Sequence, residues 1–123
     1  MKMNSMRIGL YALAMAVFLP VSGARADFKT AMDAYRAGSP VAARAVLQNA
    51  STPQEKALLA HLLLRGFGGE PDIPQGEALL RDAAMAGYAP AQSTLASMLA
   101  TGGVITRDET AAINWATRAA EQK

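Results

Sequence analysis

The sequence predicts an all-α fold, a short solenoid of about three helix pairs. Three observations favour it: landmark residues recur at a fixed offset, helix start and stop signals alternate along the chain, and no segment has the pattern of a strand. Small side chains are dense in AAMAGYAPAQSTLASMLATGG, residues 83–103. Such a segment suits helices that pack closely, and it offers few groups for acid, base or nucleophilic chemistry.

The repeat has a period of thirty-six residues. When residues 59–84 are set against residues 95–120 without gaps, the same residue types fall at the same places. The matched positions are Leu59 and Leu95, Ala60 and Ala96, Leu62 and Met98, Gly66 and Gly102, Asp72 and Asp108, Leu79 and Trp115, and the pairs Ala83-Ala84 and Ala119-Ala120. One helix pair cannot bury its apolar face alone, so a tandem repeat predicts stacked pairs that share a core.

Residues 27–51 predict a first, shorter helix pair. The segment DFKTAMDAYRAGSPVAARAVLQNA is broken by Gly38, which ends one helix. Ser39 and Pro40 begin the next, because proline is tolerated in the first turn of a helix.

Residues 52–87 contain the clearest helix start. Thr52 can act as the N-cap, Pro53 suits the first helical position, and Glu55 stands three residues after the cap, which is the pattern of a capping box. The helix is expected to run through KALLAHLLLR to Gly66, where a glycine can take the left-handed conformation. The remaining helices are expected from Asp72 to Gly87, from Pro90 to Gly102 and from Asp108 to about Gln122.

The recurring alanines are predicted to be the contact points between stacked helices. Backbones approach closely only where side chains are small, and larger apolar residues then fill the remaining volume. The predicted contact points are Ala83, Ala84, Ala96, Ala119 and Ala120.

Residues 1–26 have the pattern of a secretory signal peptide. A basic start precedes an apolar run of fourteen residues, 8–21, and Ala24-Arg25-Ala26 has the small-x-small form of a cleavage site. The alternative is an uncleaved membrane anchor, but fourteen residues span only about 21 Å of a hydrocarbon core about 30 Å thick. We therefore expect a mature chain that begins at Asp27, is not inserted in the membrane, and is periplasmic or secreted.

Charge and cysteine content exclude several classes of protein. Lys2, Arg7 and Arg25 are lost with the signal segment, so nine basic side chains remain against ten acidic ones, a formal charge of −1. A near-neutral chain with interspersed signs lacks the basic footprint of a nucleic-acid-binding protein. The chain has no cysteine, so it forms no disulfide and carries no cysteine for lipidation.

The segments AHLLLRGFGGEPDIPQGEALLRDAAMAGYAPAQ and ASMLATGGVITRDETAAINWATRAAEQ resemble Sel-one-like repeats (SLR), the thirty-six-residue relatives of tetratricopeptide helix pairs. The resemblance covers residues 56–123, and it implies repeats at 52–87 and 88–123 after a degenerate first pair at 27–51. It also implies a right-handed α/α superhelix whose first helices line a concave face. The role it implies is that of a protein-binding adaptor, often in the regulation of the bacterial envelope.

The sequence departs from the family pattern at two loops and at one helix start. The family loop has the form Gly-x-Gly-Val, but the first loop here lacks the valine, and Val104 stands where the second loop should have its second glycine. Either that loop follows another path or Gly103 takes the left-handed conformation. Glu55 replaces a small residue, which Ala91 supplies in the later repeat. The last helix has no polar capping helix after it, so contact of this end with a partner or with a second copy of the chain, by self-association, is also expected.

None of the reactive side chains forms a convincing catalytic set. His61 is the only histidine, and a metal site needs clustered ligands. Ser93 and Ser97 lack an assured base. Four acidic residues could suggest a carboxylate pair, but one is accounted for as a helix cap and the others as solvated helix faces; they are Glu77, Asp82, Asp108 and Glu109. The glycines after Gly66 follow no strand and precede no Lys-Ser/Thr pair, so they do not form a phosphate loop.

We therefore expect a non-catalytic module of the envelope, without metal or cofactor, that binds a protein or peptide in its concave groove. The groove candidates are Leu58, His61 and Arg65 on one helix and Thr94, Ser97 and Thr101 on the next. Two alternatives stay open. The first is an envelope hydrolase of the β-lactamase type, since cysteine-rich relatives of this repeat family have been linked to β-lactam binding or hydrolysis. The second is an immunity or inhibitor protein for an envelope toxin.

Overall fold

The computed structural model describes residues 27–122, so the predicted signal segment and Lys123 lie outside the described residues. The described chain forms six α-helices and one 3-10 turn, and it contains no strand. The helices are α1 (Asp27–Arg36), α2 (Pro40–Val46), α3 (Pro53–Arg65), α4 (Ile73–Met85), α5 (Ala89–Thr101) and α6 (Glu109–Ala120), with the 3-10 turn at Leu47–Asn49. The predicted fold class, an all-α solenoid of three helix pairs, is confirmed. Between residues 27 and 122, no helix is long and apolar enough to cross a membrane.

The capping box at the start of α3 is present in full. The Thr52 hydroxyl accepts a hydrogen bond from the backbone N–H of Glu55 at 3.2 Å. In return, the Glu55 carboxylate accepts from the backbone N–H groups of Thr52 at 3.1 Å and Ser51 at 2.9 Å. Because these N–H groups precede the helix, no helical carbonyl can reach them. The carboxylate of Glu55 is therefore used to start α3. This role explains why Glu55 occupies the position that the buried Ala91 holds in the later repeat.

The loops inside the two repeats have the same geometry at both ends. Gly66 and Gly102 end α3 and α5 with the same positive φ of 69°. The backbone N–H of Asp72 donates to Leu63 O at 3.0 Å, and that of Asp108 donates to Leu99 O at 2.9 Å, so the bonds recur thirty-six residues apart. The carboxylates of Asp72 and Asp108 then cap α4 and α6. The thirty-six-residue period is therefore a structural repeat as well as a sequence repeat.

Between these ends the loops differ. Gly68 has a positive φ of 81°, and a Cβ atom there would lie 2.6 Å from the carbonyl oxygen of Pro40, so this loop packs closely on α2. Val104 holds the equivalent place in the second loop and is exposed. Of the two alternatives for that loop, a left-handed Gly103 is wrong: Gly102 takes the positive φ and Gly103 does not.

The core consists of two clusters that share α3. Ala60 belongs to a cluster with buried residues of α4, α5 and α6, while Leu59, Leu62 and Leu63 belong to a cluster with buried residues of α1 and α2. Leu79 of α4 packs against both clusters. The core is therefore continuous through the three helix pairs, as stacked repeats require.

The predicted alanine contacts are confirmed in α4 and α5 and wrong in α6. Ala83 and Ala84 are fully buried, and Ala96 is buried as well. Ala119 is half-buried and Ala120 is exposed. The physical reason is that Ala83 and Ala84 pack against α5, whereas within the described residues no further helix packs on the outer side of α6.

Candidate functional site

A groove of about 770 Å³ lies between α3 and α5, with Leu80 of α4 at its floor. Phe28 and Met32 of α1 form a further wall. The lining from α3 is Gln54, Ala57, Leu58, His61, Leu64 and Arg65. The lining from α5 is Pro90, Ala91, Ser93, Thr94, Ser97, Met98 and Thr101, with Tyr88 and Val104 at its two ends. The first helix of each pair thus contributes to one shared surface.

All six groove candidates chosen from the sequence line this groove; they are Leu58, His61, Arg65, Thr94, Ser97 and Thr101. Leu58 is only 7% exposed and belongs to the floor, while His61 is half-buried. The other four side chains are exposed. The structure brings the six residues together, and their contact with a partner stays a prediction.

The hydroxyls along α5 fall into two groups. Thr94 donates to the carbonyl oxygen of Pro90 at 2.9 Å, and Thr101 donates to that of Ser97 at 3.1 Å. These two hydroxyl protons are therefore already used within the helix. The hydroxyls of Ser93 and Ser97 make no hydrogen bond within residues 27–122, so they are the donors that α5 offers to a bound molecule.

His61 lies at a junction between α1, α3 and the loop after α3. Its Nε2 atom is 3.2 Å from the hydroxyl of Tyr35. The ring of Phe67 packs edge-on to His61 at 5.7 Å and stacks on Tyr35 at 6.5 Å. Phe67 therefore anchors a loop that lacks the valine of the family pattern.

Burial lowers the pKa of His61, and the positive charge of Arg65 lowers it further. The neutral imidazole is therefore favoured in the folded protein. With His61 neutral, Arg65 is the one charged side chain among the lining residues, because the described lining contains no carboxylate, no lysine and no second arginine. Arg65 itself makes no ion pair within the described chain.

The acidic residues that could suggest catalysis have other partners. Glu77 pairs with Arg81 at 2.8 Å on α4, and Asp82 lies 3.6 Å from Lys56 of α3. Asp108 caps α6 through a 3.0 Å hydrogen bond, and Glu109 pairs with an arginine of the preceding loop. Asp82 is therefore part of a link between α3 and α4 that the sequence alone did not indicate.

Neither groove serine has the arrangement of an activated nucleophile. His61 makes its hydrogen bond with Tyr35, and no hydrogen bond joins it to Ser93 or Ser97. A serine nucleophile needs a base within hydrogen-bond reach. Residues 27–122 also hold no group of three or more His, Asp or Glu side chains placed to bind a metal ion.

Sequence reasoning missed the contribution of α1 to the groove. The thirty-six-residue offset carries α1 to residues 63–72, which span the end of α3 and the loop after it, so this offset does not align α1 with α3. The turn after α1 also differs from the glycine loops inside the repeats. Its hydrogen bonds, from Gly38 N to Tyr35 O and from Ser39 N to Ala34 O, match those of the turn after α4. The signal that could have shown this is the shared pattern Asp-Ala-x-x-Ala-Gly at residues 33–38 and 82–87.

Sequence reasoning also missed the role of Gln92. This buried side chain donates to the carbonyl oxygen of Ala84 at 3.0 Å and accepts from Gln122 at 2.7 Å. The carbonyl oxygen of Ala84, in the last turn of α4, also accepts from the backbone N–H of Gly87 at 3.0 Å, so the amide of Gln92 adds a second hydrogen bond there. Gln92 thus joins the end of α4 to α5 and helps to hold the repeat that carries one wall of the groove.

Comparison with known proteins gives one match. The family model of the Sel1 repeat, the same repeat as the Sel-one-like pattern described above, matches residues 56–88 and 89–123. The two matches meet one residue after the repeat boundary that the sequence landmarks indicate. No curated protein and no solved structure shows significant similarity to the chain.

Proposed function

The chain belongs to the Sel1 repeat family, and from this premise we propose that it is a non-catalytic adaptor of the bacterial envelope that binds a protein or peptide in the groove between α3 and α5. Sel1 repeats are generally protein-interaction modules, and the family is typically non-catalytic. The observation that carries the proposal is the groove itself. Its apolar floor is rimmed by a few hydroxyls and by Arg65, which has no ion-pair partner among residues 27–122, and such a surface suits recognition by shape with few polar contacts.

The envelope assignment rests on residues 1–26, which have the pattern of a cleaved secretory signal. Intact-mass measurement of the exported protein is expected to give a chain that starts at Asp27. A membrane-embedded form that retains residues 1–26 would overturn the periplasmic or secreted location and leave the binding function to be tested separately.

Binding is tested with the partner captured by crosslinking from the envelope fraction. Arg65→Ala is expected to weaken binding by more than about 1 kcal/mol in calorimetry, since arginines are frequent among the residues that dominate an interface. Arg81→Ala is the control, because Arg81 pairs with Glu77 on α4 and does not line the groove. Equal circular dichroism spectra would show that both variants fold. Loss of binding in the Arg81 variant alone would move the working surface away from the groove.

A catalytic role is tested by incubating the mature protein with a β-lactam and with peptidoglycan fragments. We expect no turnover, because no hydrogen bond joins either groove serine to His61, whose Nε2 atom contacts Tyr35 instead. Reproducible turnover that disappears in a Ser93, Ser97 or His61 variant would replace the adaptor function with hydrolysis.

A further inference from the structure

We propose that the partner segment in the groove is an amphipathic helix that lies antiparallel to α3 and α5, with an acidic residue in its first turn beside Arg65. This inference rests on the proposed function, because it names the shape and charge of the molecule that the groove takes.

The groove runs along the helices, not across them. The lining positions of α3 recur three or four residues apart, from Gln54 in its first turn to Arg65 in its last. Those of α5 extend in the same way from Pro90 to Thr101. Each helix has 13 residues, so the groove follows about 20 Å of helix. A rod of similar length between α3 and α5, above Leu80, would contact the whole lining.

The polar groups of the lining favour a helix over an extended segment. An extended peptide needs partners for its backbone N–H and C=O groups, because each unpaired buried group is costly. The hydroxyls of Thr94 and Thr101 are already bonded to carbonyl groups of α5, which leaves chiefly Ser93, Ser97 and Gln54, fewer side chains than the roughly twelve backbone groups of an extended segment of about 20 Å. A helix satisfies its own backbone groups and needs only an apolar face, which matches Ala57, Leu64 and Met98 of the lining.

The direction of the bound helix follows from the ends of α3 and α5. Both helices are joined to α4 by short turns, so they run the same way and their C-terminal ends lie at the same end of the groove. C-terminal helix ends carry partial negative charge and N-terminal ends carry partial positive charge. An antiparallel helix therefore brings its N-terminus to the end that holds Arg65 and Thr101.

Arg65 defines the charge of that end. It is exposed, lies in the last turn of α3 and has no ion-pair partner in the described chain, and the lining holds no carboxylate that would repel an acidic ligand. Acidic side chains also stabilise the first turn of a helix through its dipole. An aspartate or glutamate in the first turn of the bound helix is thus favoured both by its own helix and by Arg65.

The test is a selection from a peptide display library on the mature chain, residues 27–123. One half of the library holds amphipathic sixteen-residue helices with randomised charges at both ends, and the other half holds proline-containing extended sequences. We expect amphipathic helices with aspartate or glutamate in the first turn to be enriched. Arg65→Gln should weaken these peptides about tenfold, and Arg65→Glu should select peptides with lysine in the first turn instead. The matched control, Arg36→Gln, should change nothing, because Arg36 is an exposed arginine in the last turn of α1 outside the groove.

Direction is measured by disulfide trapping, since the chain has no natural cysteine. Thr101→Cys is expected to trap a cysteine at the N-terminus of the selected peptide, and Gln54→Cys one at its C-terminus. The opposite pairing would overturn the antiparallel arrangement.

The remaining outcomes separate this inference from the proposed function. Enrichment of extended peptides that are trapped by Ser97→Cys would overturn the helix and leave a peptide-binding groove. A concentration-dependent dimer that is trapped at the same cysteine without peptide would mean that a second copy of this chain occupies the groove. That result would also overturn the inference. If neither peptides nor the captured partner reach the groove cysteines, both the inference and the proposed function fail.

Discussion

The hydroxyl of Tyr35 and the Nε2 atom of His61 lie 3.2 Å apart, and this contact joins α1 to α3 beside the groove. Phe67 packs against both rings, so three aromatic side chains from α1, α3 and the following loop meet at one point. The first helix pair lacks the glycine loop of the later repeats. Its attachment to them therefore depends on specific contacts such as this one as well as on the apolar core.

The stability of the protein is expected to fall as the pH drops below the ordinary histidine pKa of 6.5. Burial and Arg65 lower the pKa of His61, so between pH 6.5 and that lowered pKa the unfolded chain binds a proton that the folded chain does not. The free energy of unfolding therefore falls as the pH falls through this range. Urea denaturation at pH 7.5, 6.5 and 5.5 measures this free energy. His61→Asn should reduce this dependence, and because the chain has one histidine, equal pH dependence in both proteins would contradict the account.

Glu55→Ala is expected to lower the free energy of unfolding by about 1 kcal/mol, because the N–H groups of Ser51 and Thr52 lose their acceptor. Glu55→Gln should cost less, since an amide oxygen can still accept these hydrogen bonds.

The contribution of the Glu55 charge is expected to depend on pH. Hydrogen bonds from Ser51 and Thr52 lower the pKa of Glu55, although burial raises it. The advantage of the parent over Glu55→Gln should thus be present above pH 4.5 and disappear as the pH falls through the lowered pKa. A constant difference at all pH values would exclude the charge as its cause.

Three glycine-to-alanine variants separate backbone strain from steric contact. Gly103→Ala should be nearly neutral, since φ is not positive there and no atom lies near. Gly87→Ala has open space but a φ of 92°, so it should cost about 1 kcal/mol. Gly68→Ala should cost most, because it combines a positive φ with a clash against the backbone of Pro40. Thermal unfolding of the three variants gives the order, and a neutral Gly68→Ala would contradict the close approach of this loop to α2.

Ala83→Leu is expected to lower the free energy of unfolding by about 1 to 3 kcal/mol, because a fully buried alanine between α4 and α5 has no space for a larger side chain. Ala120→Leu, a change in the matching Ala-Ala pair of the later repeat, should stay within about 0.5 kcal/mol, since Ala120 is exposed. Urea denaturation compares the two. Equal losses would mean that the outer side of α6 is covered in solution.

Features fixed by local chemistry were predictable from the sequence. Helix starts at Thr52 and Asp72 and helix ends at Gly66 and Gly102 depend on capping side chains and on the backbone freedom of glycine, so residue type alone indicates them. The groove candidates followed because a repeat places equivalent positions on equivalent faces.

Features that depend on what packs nearby were not predictable in this way. Ala84 and Ala120 have the same place in the repeat, but one is buried by a following helix and the other is not. Phe28 and Met32 line the groove because the turn after α1, which does not follow the repeat period, places α1 beside α3. The hydroxyl of Thr94 looks available in the sequence, but it is bonded to its own helix.

The most direct test of the groove as the binding surface is photocrosslinking inside the cells that make the protein. A benzoylphenylalanine at Ser97, which lines the groove, is compared with one at Asn114, an exposed position of α6 outside it. The account predicts a defined adduct from position 97 with the protein whose affinity falls in Arg65→Ala, and none from position 114. An adduct with that protein from position 114 and none from position 97 would contradict it.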